Sequence, residues 1–334
     1  MSELRQNPIT KQWVLIAPKR SKRPEDFKNP VESAALPELD RECVFCPGNE
    51  KLNPDLSNDA GRVPDSEKWE IRVIQNKFQA LEKTTTYRHR EFYTSRSGYG
   101  EHEVIITRKH NQPLAFQPDE LVQLTLQTFI DRIRALQKDP NLAYVQIFHN
   151  HGRDAGATAV HPHHQILATP IVPPHIHAEM RGCYDYWQTG KTCIYCDIVK
   201  EEIQVRDRLV YENEHFAVVS AYASRNAFET WIIPKKHKAR FEDLEPEELR
   251  HLSAVLKMVL GQLHNKLGDP PLNFYIHTMP SSRDKHTLQE EKSYHWHMTI
   301  FPHISMWGGF EYATGIPINP VAPEVTAKFL RGDE

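Results

Sequence analysis

The alternation of apolar and polar positions carries the chain twice through one order of elements. The run "WEIRVIQNKFQAL" at 69–81 and the run "HEVIITRKH" at 102–110 alternate, or continue as β-branched and aromatic residues, and both predict strands. Val122, Leu126, Phe129, Ile133 and Leu136 then recur at steps of three and four, the stripe of a helix whose first turn begins at Pro118. Two further strands are predicted in "YVQIFHN" at 144–150 and in "HPHHQILATPIVP" at 161–173. The second pass opens with the strand-rich "HFAVVSAYASRNAFETWIIPKKH" at 215–237. Leu249, Leu252, Leu256, Val259 and Leu263 mark its helix, which Pro246 opens and Gly268 closes. "NFYIHTMP" at 273–280 and "HWHMTIFPH" at 295–303 complete it.

A repeated order of elements is itself an architectural signal. It predicts an α+β fold of two tandem repeats, each an antiparallel sheet backed by a helix. The boundary is expected between "PIVPPHIH" and "CIYC", giving domains of 1–178 and 179–334. "PPHIH" reads as a proline-rich loop in which His175 and His177 face solvent without a role. Residues 27–66, with their Pro, Asn and Asp content, read as a long irregular excursion.

The 334 residues suffice for two domains, and a net charge of −3 supplies no basic field for nucleic acid or an anionic membrane. No run reaches the roughly 18 apolar residues of a membrane span, and "MSELRQNPIT" lacks the apolar core of a secretory signal. A cytoplasmic location is therefore expected. Four of the five cysteines form two CxxC pairs, Cys43/Cys46 and Cys193/Cys196. In a reducing compartment such pairs point to metal rather than disulfides. Cys183 reads as a plain thiol.

Each half supplies four ligands in the same order: Cys43, Cys46, His110 and His161, then Cys193, Cys196, His237 and His295. A Cys2His2 set suits a closed tetrahedral zinc site, so two zinc ions per chain are expected. In "HPHHQ", Pro162 drives His161 into extended backbone, where alternate residues share a face. His161 and His163 then stand side by side, one for metal and one for a substrate, while His164 points the other way to pack. Within "NHGRDAGAT", Asn150, Gly156 and Thr158 are placed to approach phosphate oxygens, and Gln165 adds an amide donor. A neutral imidazole there serves as a ligand, a general base or a nucleophile, and the set points to an anionic phosphorus centre.

These residues carry a resemblance. With "NPITKQWVLIAPKRSKRP" at 7–24, "CVFC", "VIQNKFQAL", "HPHHQ", "HWH" and "GGFEYATGIPINPVAPE" at 308–324, the chain resembles the galactose-1-phosphate uridylyltransferase family over nearly its whole length. That family is the nucleotidyl-transferring branch of the histidine-triad superfamily. The resemblance implies two histidine-triad-like repeats, the first catalytic, and a ping-pong reaction through a covalent nucleotidyl group on His163. It implies that Gln165 supports the non-bridging oxygens and that Asn150 and Thr158 belong to the phosphate loop. Arg20 and Arg23 are implied near the nucleotide phosphates, Asn76 at the ribose and Glu311 near the hexose. Ser305 stands where a lysine is expected. A homodimer is also implied, with the Glu311 segment completing the partner's site.

The branch with two CxxC pairs includes ADP-glucose phosphorylase. The expected activity is UDP-glucose:hexose-1-phosphate uridylyl transfer in galactose metabolism. The alternative is adenylyl transfer from ADP-glucose to inorganic phosphate. A non-catalytic, zinc-stapled nucleotide-binding module is the reading outside enzymology, against which the set Asn150, Thr158, His163 and Gln165 argues. Family members vary at the second metal site, so iron is the alternative ion there. Thr299 replaces Gln165 in the second half, which also lacks the small-residue loop. One nucleophile per chain is therefore expected, with His297 structural or assisting.

Overall fold

A computed structural model of the chain describes residues 1–20, 36–52, 59–83, 92–281 and 288–333. In the first half the strands are β1 (Glu3–Gln6), β2 (Trp13–Ile16), β3 (Asp59–Val63), β4 (Ile71–Gln75), β5 (Glu101–Thr107), β6 (Tyr144–His151) and β7 (His163–Thr169). In the second they are β8 (Leu209–Glu212), β9 (Phe216–Val219), β10 (Thr230–Pro234), β11 (Leu272–His277), β12 (His297–Pro302) and β13 (Ile318–Asn319). The helices are α1 (Asp119–Leu136), α2 (Pro174–Gly190), α3 (Ile194–Val205), α4 (Pro246–Leu267), α5 (Leu288–Ser293), α6 (Gly309–Thr314) and α7 (Pro323–Arg331). None of the described helices is long and apolar enough to cross a membrane.

The α+β expectation holds, and the two repeats share one sheet. Ten strands run in the order β3-β4-β5-β7-β6-β11-β12-β10-β9-β8, and β1, β2 and β13 form a small second sheet. Outward from the seam, β6-β7-β5-β4-β3 and β11-β12-β10-β9-β8 repeat the same order on either side. At the seam Phe148 pairs with Tyr275, Asn150 with Asn273 and Leu272 with His151, all antiparallel.

The two predicted helices lie side by side over one face of this sheet. Their apolar stripes (Leu126, Phe129 and Ile133; Leu252, Leu256 and Leu263) are fully buried against strand residues such as Ile147, Ile166, Phe274 and Met298. Each such side chain contributes about 1.5–3 kcal/mol relative to exposure. Gly268 closes α4 with φ 73°, the left-handed conformation glycine adopts without strain.

Two local expectations need correction. "PPHIH" is not a loop: Pro174 occupies the first turn of α2, a position where its missing N–H costs nothing. Only Ile176, Glu179 and Cys183 of α2 are buried, so the apolar stripe was too thin to read. Gly182 lets this helix touch the N-terminal segment, since a Cβ there would lie 2.0 Å from the Ile9 carbonyl oxygen. The position 178/179 falls inside α2. The excursion of 27–66 is also not wholly irregular, because β3 occupies Asp59–Val63 and extends the sheet beyond β4.

Candidate active site and its metal knuckles

Both Cys2His2 sets are assembled, with their four ligand atoms within 4.8 Å of one another. His161 Nδ1 lies 3.5 Å from Sγ of both Cys43 and Cys46, and His110 Nδ1 lies 3.6 Å from Cys46 Sγ. In the second set the corresponding separations are 3.7 Å for Cys193–His295, 3.6 Å for Cys196–His295 and 3.6 Å for Cys196–His237. Zinc bonds of about 2.3 Å to sulfur and 2.0 Å to nitrogen, at tetrahedral angles, give sulfur–nitrogen edges of about 3.5 Å. The residues therefore fit such an ion. Two of the four far ring nitrogens are also committed: His161 Nε2–H donates to the Thr107 carbonyl at 2.6 Å and His237 Nε2–H to the Glu291 carbonyl at 3.0 Å. In His161 and His237 this leaves Nδ1 deprotonated, its lone pair facing the cysteine sulfurs.

His163 begins β7 two residues after His161, on the same face. Its Nδ1–H donates to the His161 carbonyl at 2.8 Å, so the lone pair resides on Nε2. Phe45, inside the first CxxC pair, packs against the ring at 5.4 Å between centroids. The side chain is 6% exposed. Burial holds its pKa below the ordinary histidine value, against the bond to His161, so the ring is neutral near pH 7. His149 Nδ1–H donates to the His163 carbonyl at 2.8 Å and fixes the strand from the neighbouring side. His164 points to the helix layer, its ring 5.1 Å from that of Phe129.

Gln165 shares the His163 face and is held by His102, a residue whose strand is legible in the sequence but whose role is not. The Ala80 N–H donates to His102 Nδ1 at 3.3 Å, which places the proton on Nε2. From there His102 donates to Gln165 Oε1 at 2.9 Å, and the Asn76 amide lies 3.5 Å from the same oxygen. With its oxygen occupied by these two side chains, Gln165 has its NH2 group directed away from His102. The signal for His102 was the two-residue period of β5, but without a partner strand that period does not say what the imidazole meets.

The loop after β6 is bent by two left-handed glycines, Gly152 at φ 80° and Gly156 at φ 87°. Gly152 presses on Pro271, where a Cβ would come within 2.9 Å. Asn150 Nδ2 reaches the Gly156 carbonyl at 3.4 Å, and Thr158 is exposed on the rim. A cavity of about 910 Å³ runs along this loop past Asn150, Gly156, Thr158 and His161 but does not include His163. It is large enough for a nucleotide-sized ligand, and its lining extends to His264 and Asp269.

The remaining expected contacts are less centred. Arg20 ends an exposed turn, Pro18–Arg20. Arg23 lies outside the described residues. The Glu311 carboxylate accepts the Gly308 N–H at 3.0 Å. Among the described residues neither Arg20 nor Glu311 is hydrogen-bonded to His163 or Gln165.

The second half departs where its sequence departs. Around His297, Tyr195 stacks at 4.7 Å and Trp231 lies at 5.4 Å, centroid to centroid. Its Nδ1 is 3.4 Å from the His295 carbonyl, and the ring is 1% exposed. Glu229 and Thr299 replace His102 and Gln165 in the repeat, and Glu229 is occupied by the Trp231 indole N–H at 3.1 Å. His175 lies on α2, 3.3 Å from Glu179, which also meets His277 at 3.0 Å. The space around His297 is thus narrowed to a cavity of about 20 Å³, lined also by Glu179, Glu229 and Thr299.

Comparison with known proteins extends this geometry. Residues 1–173 match the family model of the galactose-1-phosphate uridyl transferase N-terminal domain, and residues 179–306 match that of the C-terminal domain. The chain is 36% identical to the ADP-glucose phosphorylase of Arabidopsis thaliana, over 98% of this chain and 92% of that protein. It is 26% identical to the galactose-1-phosphate uridylyltransferase of Thermotoga maritima, over 100% and 99% of the two chains. Among solved structures, an Arabidopsis thaliana ADP-glucose phosphorylase with bound ADP-glucose superposes with a TM-score of 0.84 at 33% identity, covering 99% of each chain.

Proposed function

The chain belongs to the galactose-1-phosphate uridylyltransferase family, and on that premise we propose that it is a nucleotidyltransferase working through a covalent nucleotidyl-His163. The observation that carries this is the neutral imidazole itself. Its proton is held on Nδ1 by a backbone carbonyl, and Nε2 has no hydrogen-bond partner among the described residues. In the first half-reaction Nε2 attacks the α-phosphorus of a nucleotide sugar. The N–P bond forms as the bond to the bridging oxygen breaks, and sugar 1-phosphate leaves. In the second, a phosphate oxygen of the acceptor attacks phosphorus and the N–P bond breaks, regenerating His163. Gln165, with its oxygen tied to His102, and Asn150 supply donors to the charge that develops on the non-bridging oxygens. Arg20, Arg23, Asn76, Gly156, Thr158 and Glu311 complete the proposed substrate contacts. Residues 1–178 form the proposed catalytic domain and 179–334 its supporting counterpart.

Zinc is the ion that fits both Cys2His2 sets, two per chain, with a structural role: it ties the CxxC segments to the strand ends that present His161 and His295.

Of the two donor readings, ADP-glucose with inorganic phosphate as acceptor has the stronger support. The similarity to a plant ADP-glucose phosphorylase exceeds that to a uridylyltransferase by ten points of identity (36% against 26%). Ser305 also occupies the place where a hexose-contacting lysine is expected. Uridylyl transfer to galactose 1-phosphate is the second reading, favoured by the full-length match to the Thermotoga maritima enzyme. Both donors, labelled at the α-phosphate, separate them. ADP-glucose should leave an acid-labile label on the protein that inorganic phosphate releases as ADP. Labelling by UDP-glucose with release to galactose 1-phosphate selects the second reading, and no label from either donor leaves only the non-catalytic module. The proposal includes a homodimer in which the Glu311 segment completes the partner's site. Sedimentation at assay concentration should give twice the chain mass, and a fully active monomer removes that part.

A further inference from the structure

The seam between the repeats places a residue of the second half directly opposite Asn150. Asn273 on β11 is its cross-strand partner, and the contact goes through side chains as well as backbone. Asn273 Nδ2 lies 2.8 Å from Asn150 Oδ1, 3.0 Å from the Ala155 carbonyl and 3.2 Å from the His149 carbonyl. Three acceptor oxygens around one amide nitrogen leave no doubt about which end of the Asn273 amide faces them. Its oxygen points back and accepts the His303 Nε2–H at 2.5 Å. His303 is in turn fixed at the end of β12, where its backbone N–H donates to the Pro271 carbonyl at 2.7 Å.

We infer that Asn273, oriented by His303, is a positioning residue for the transfer site in the other half. The inference rests on the reading of Asn150 as a phosphate-loop donor. An asparagine amide has two faces, and only one of them is useful to an anion. Because Asn273 occupies Asn150 Oδ1, the Asn150 NH2 group must point to the loop and the space it encloses, where Gly156 is its neighbour at 3.4 Å. The second Asn273 hydrogen ties the Ala155 carbonyl, so one side chain sets both the donor and the loop that carries Gly156. Without it, Asn150 is free to turn its carbonyl oxygen toward the substrate, and an oxygen lone pair repels the charge that the amide hydrogens attract.

The repeat isolates this role. The counterpart of Asn273 across the seam is Gln146, whose amide donates to the backbone carbonyls of Ile147 and Ile276 at 2.8 and 2.9 Å. It meets no side chain of a phosphate loop, and the second half has no such loop. The relay thus runs in one direction, from the half without a phosphate loop to the half that carries one.

The test uses the full chain and two readouts. In single-turnover labelling with ADP-glucose, Asn273→Ala should slow adduct formation by about 10- to 100-fold, the order expected when a catalytic group is misplaced by an ångström. Zinc content and melting temperature should stay near wild type, as should ADP-glucose affinity. Asn273→Asp keeps the size but presents only acceptors, and should be at least as slow. His303→Gln retains an N–H donor and should recover most of the rate that His303→Leu loses. Asn150→Ala combined with Asn273→Ala should be no slower than Asn150→Ala alone, because both act through one amide. Amide exchange of Gly156 and Ala157 should accelerate in Asn273→Ala, a readout that does not need turnover. Absence of label in the wild type removes the reading of function while leaving the exchange result to decide the relay. Unchanged labelling rate, or unchanged exchange in this loop, overturns the inference, as does a rate loss that merely follows a fall in melting temperature.

Discussion

Replacement of His163 by asparagine should abolish the covalent adduct and lower turnover by at least about a thousandfold, as expected when a nucleophile is removed. Asparagine keeps a short amide in place of the imidazole Nδ1 edge, so the donation to the His161 carbonyl has a substitute and the strand end should stay in place. What disappears is the Nε2 lone pair. Zinc content, melting temperature and the spectroscopic signature of the fold should therefore match wild type. His297→Asn is the control. That ring is buried between Tyr195 and Trp231, and its loss should cost stability while the adduct persists. If His297→Asn erased the label and His163→Asn retained it, the reaction centre would have been assigned to the wrong half.

The second large effect is expected at the first metal knuckle. Cys46→Ser should lower zinc from two per chain to one and suppress the adduct together with it. The physical link is short. His161 is at once a ligand in the Cys2His2 set and the residue whose carbonyl holds the His163 proton at 2.8 Å. Phe45, which packs on the His163 ring, is flanked by the CxxC cysteines themselves. Releasing the ion frees the loop, the phenylalanine and the histidine strand end at once. Structural zinc contributes roughly 10 kcal/mol or more in small metal-folded peptides, so even a fraction of that lost is several degrees of melting temperature. Cys196→Ser, at the second knuckle, should also remove one zinc but leave more of the adduct. Equal adduct in Cys46→Ser and wild type, measured with elemental analysis on the same samples, would falsify the coupling of metal to nucleophile.

Much of this arrangement was legible because it depends on local spacing. CxxC pairs, the two-residue step from His161 to His163 and the three-and-four stripes of α1 and α4 are set within a few residues, and the structure places those elements as expected. The features that escaped the sequence depend on long-range register. Nothing in "LNFYIH" indicates that Asn273 will face Asn150, because that pairing is made only when β11 lies against β6. His102 is silent for the same reason: its partner, Gln165, comes from another strand of the sheet. Helix α2 failed for a different cause. Its buried positions include a glutamate and a cysteine, so hydrophobicity underreports how much of it is covered.

The shared sheet has a consequence for what counts as a self-sufficient piece of this protein. Strands β6 and β11 are interior strands only because each covers the other, and the two outermost positions belong to β3 and β8. Severing the chain between the repeats would convert both seam strands into open edges, each a row of unpaired N–H and C=O groups. The repeats thus behave as mutual chaperones: each supplies the cap that keeps the other from pairing with strangers. Two copies of one motif thus share a single sheet, and under the proposed function the second copy is the wall on which the first is built.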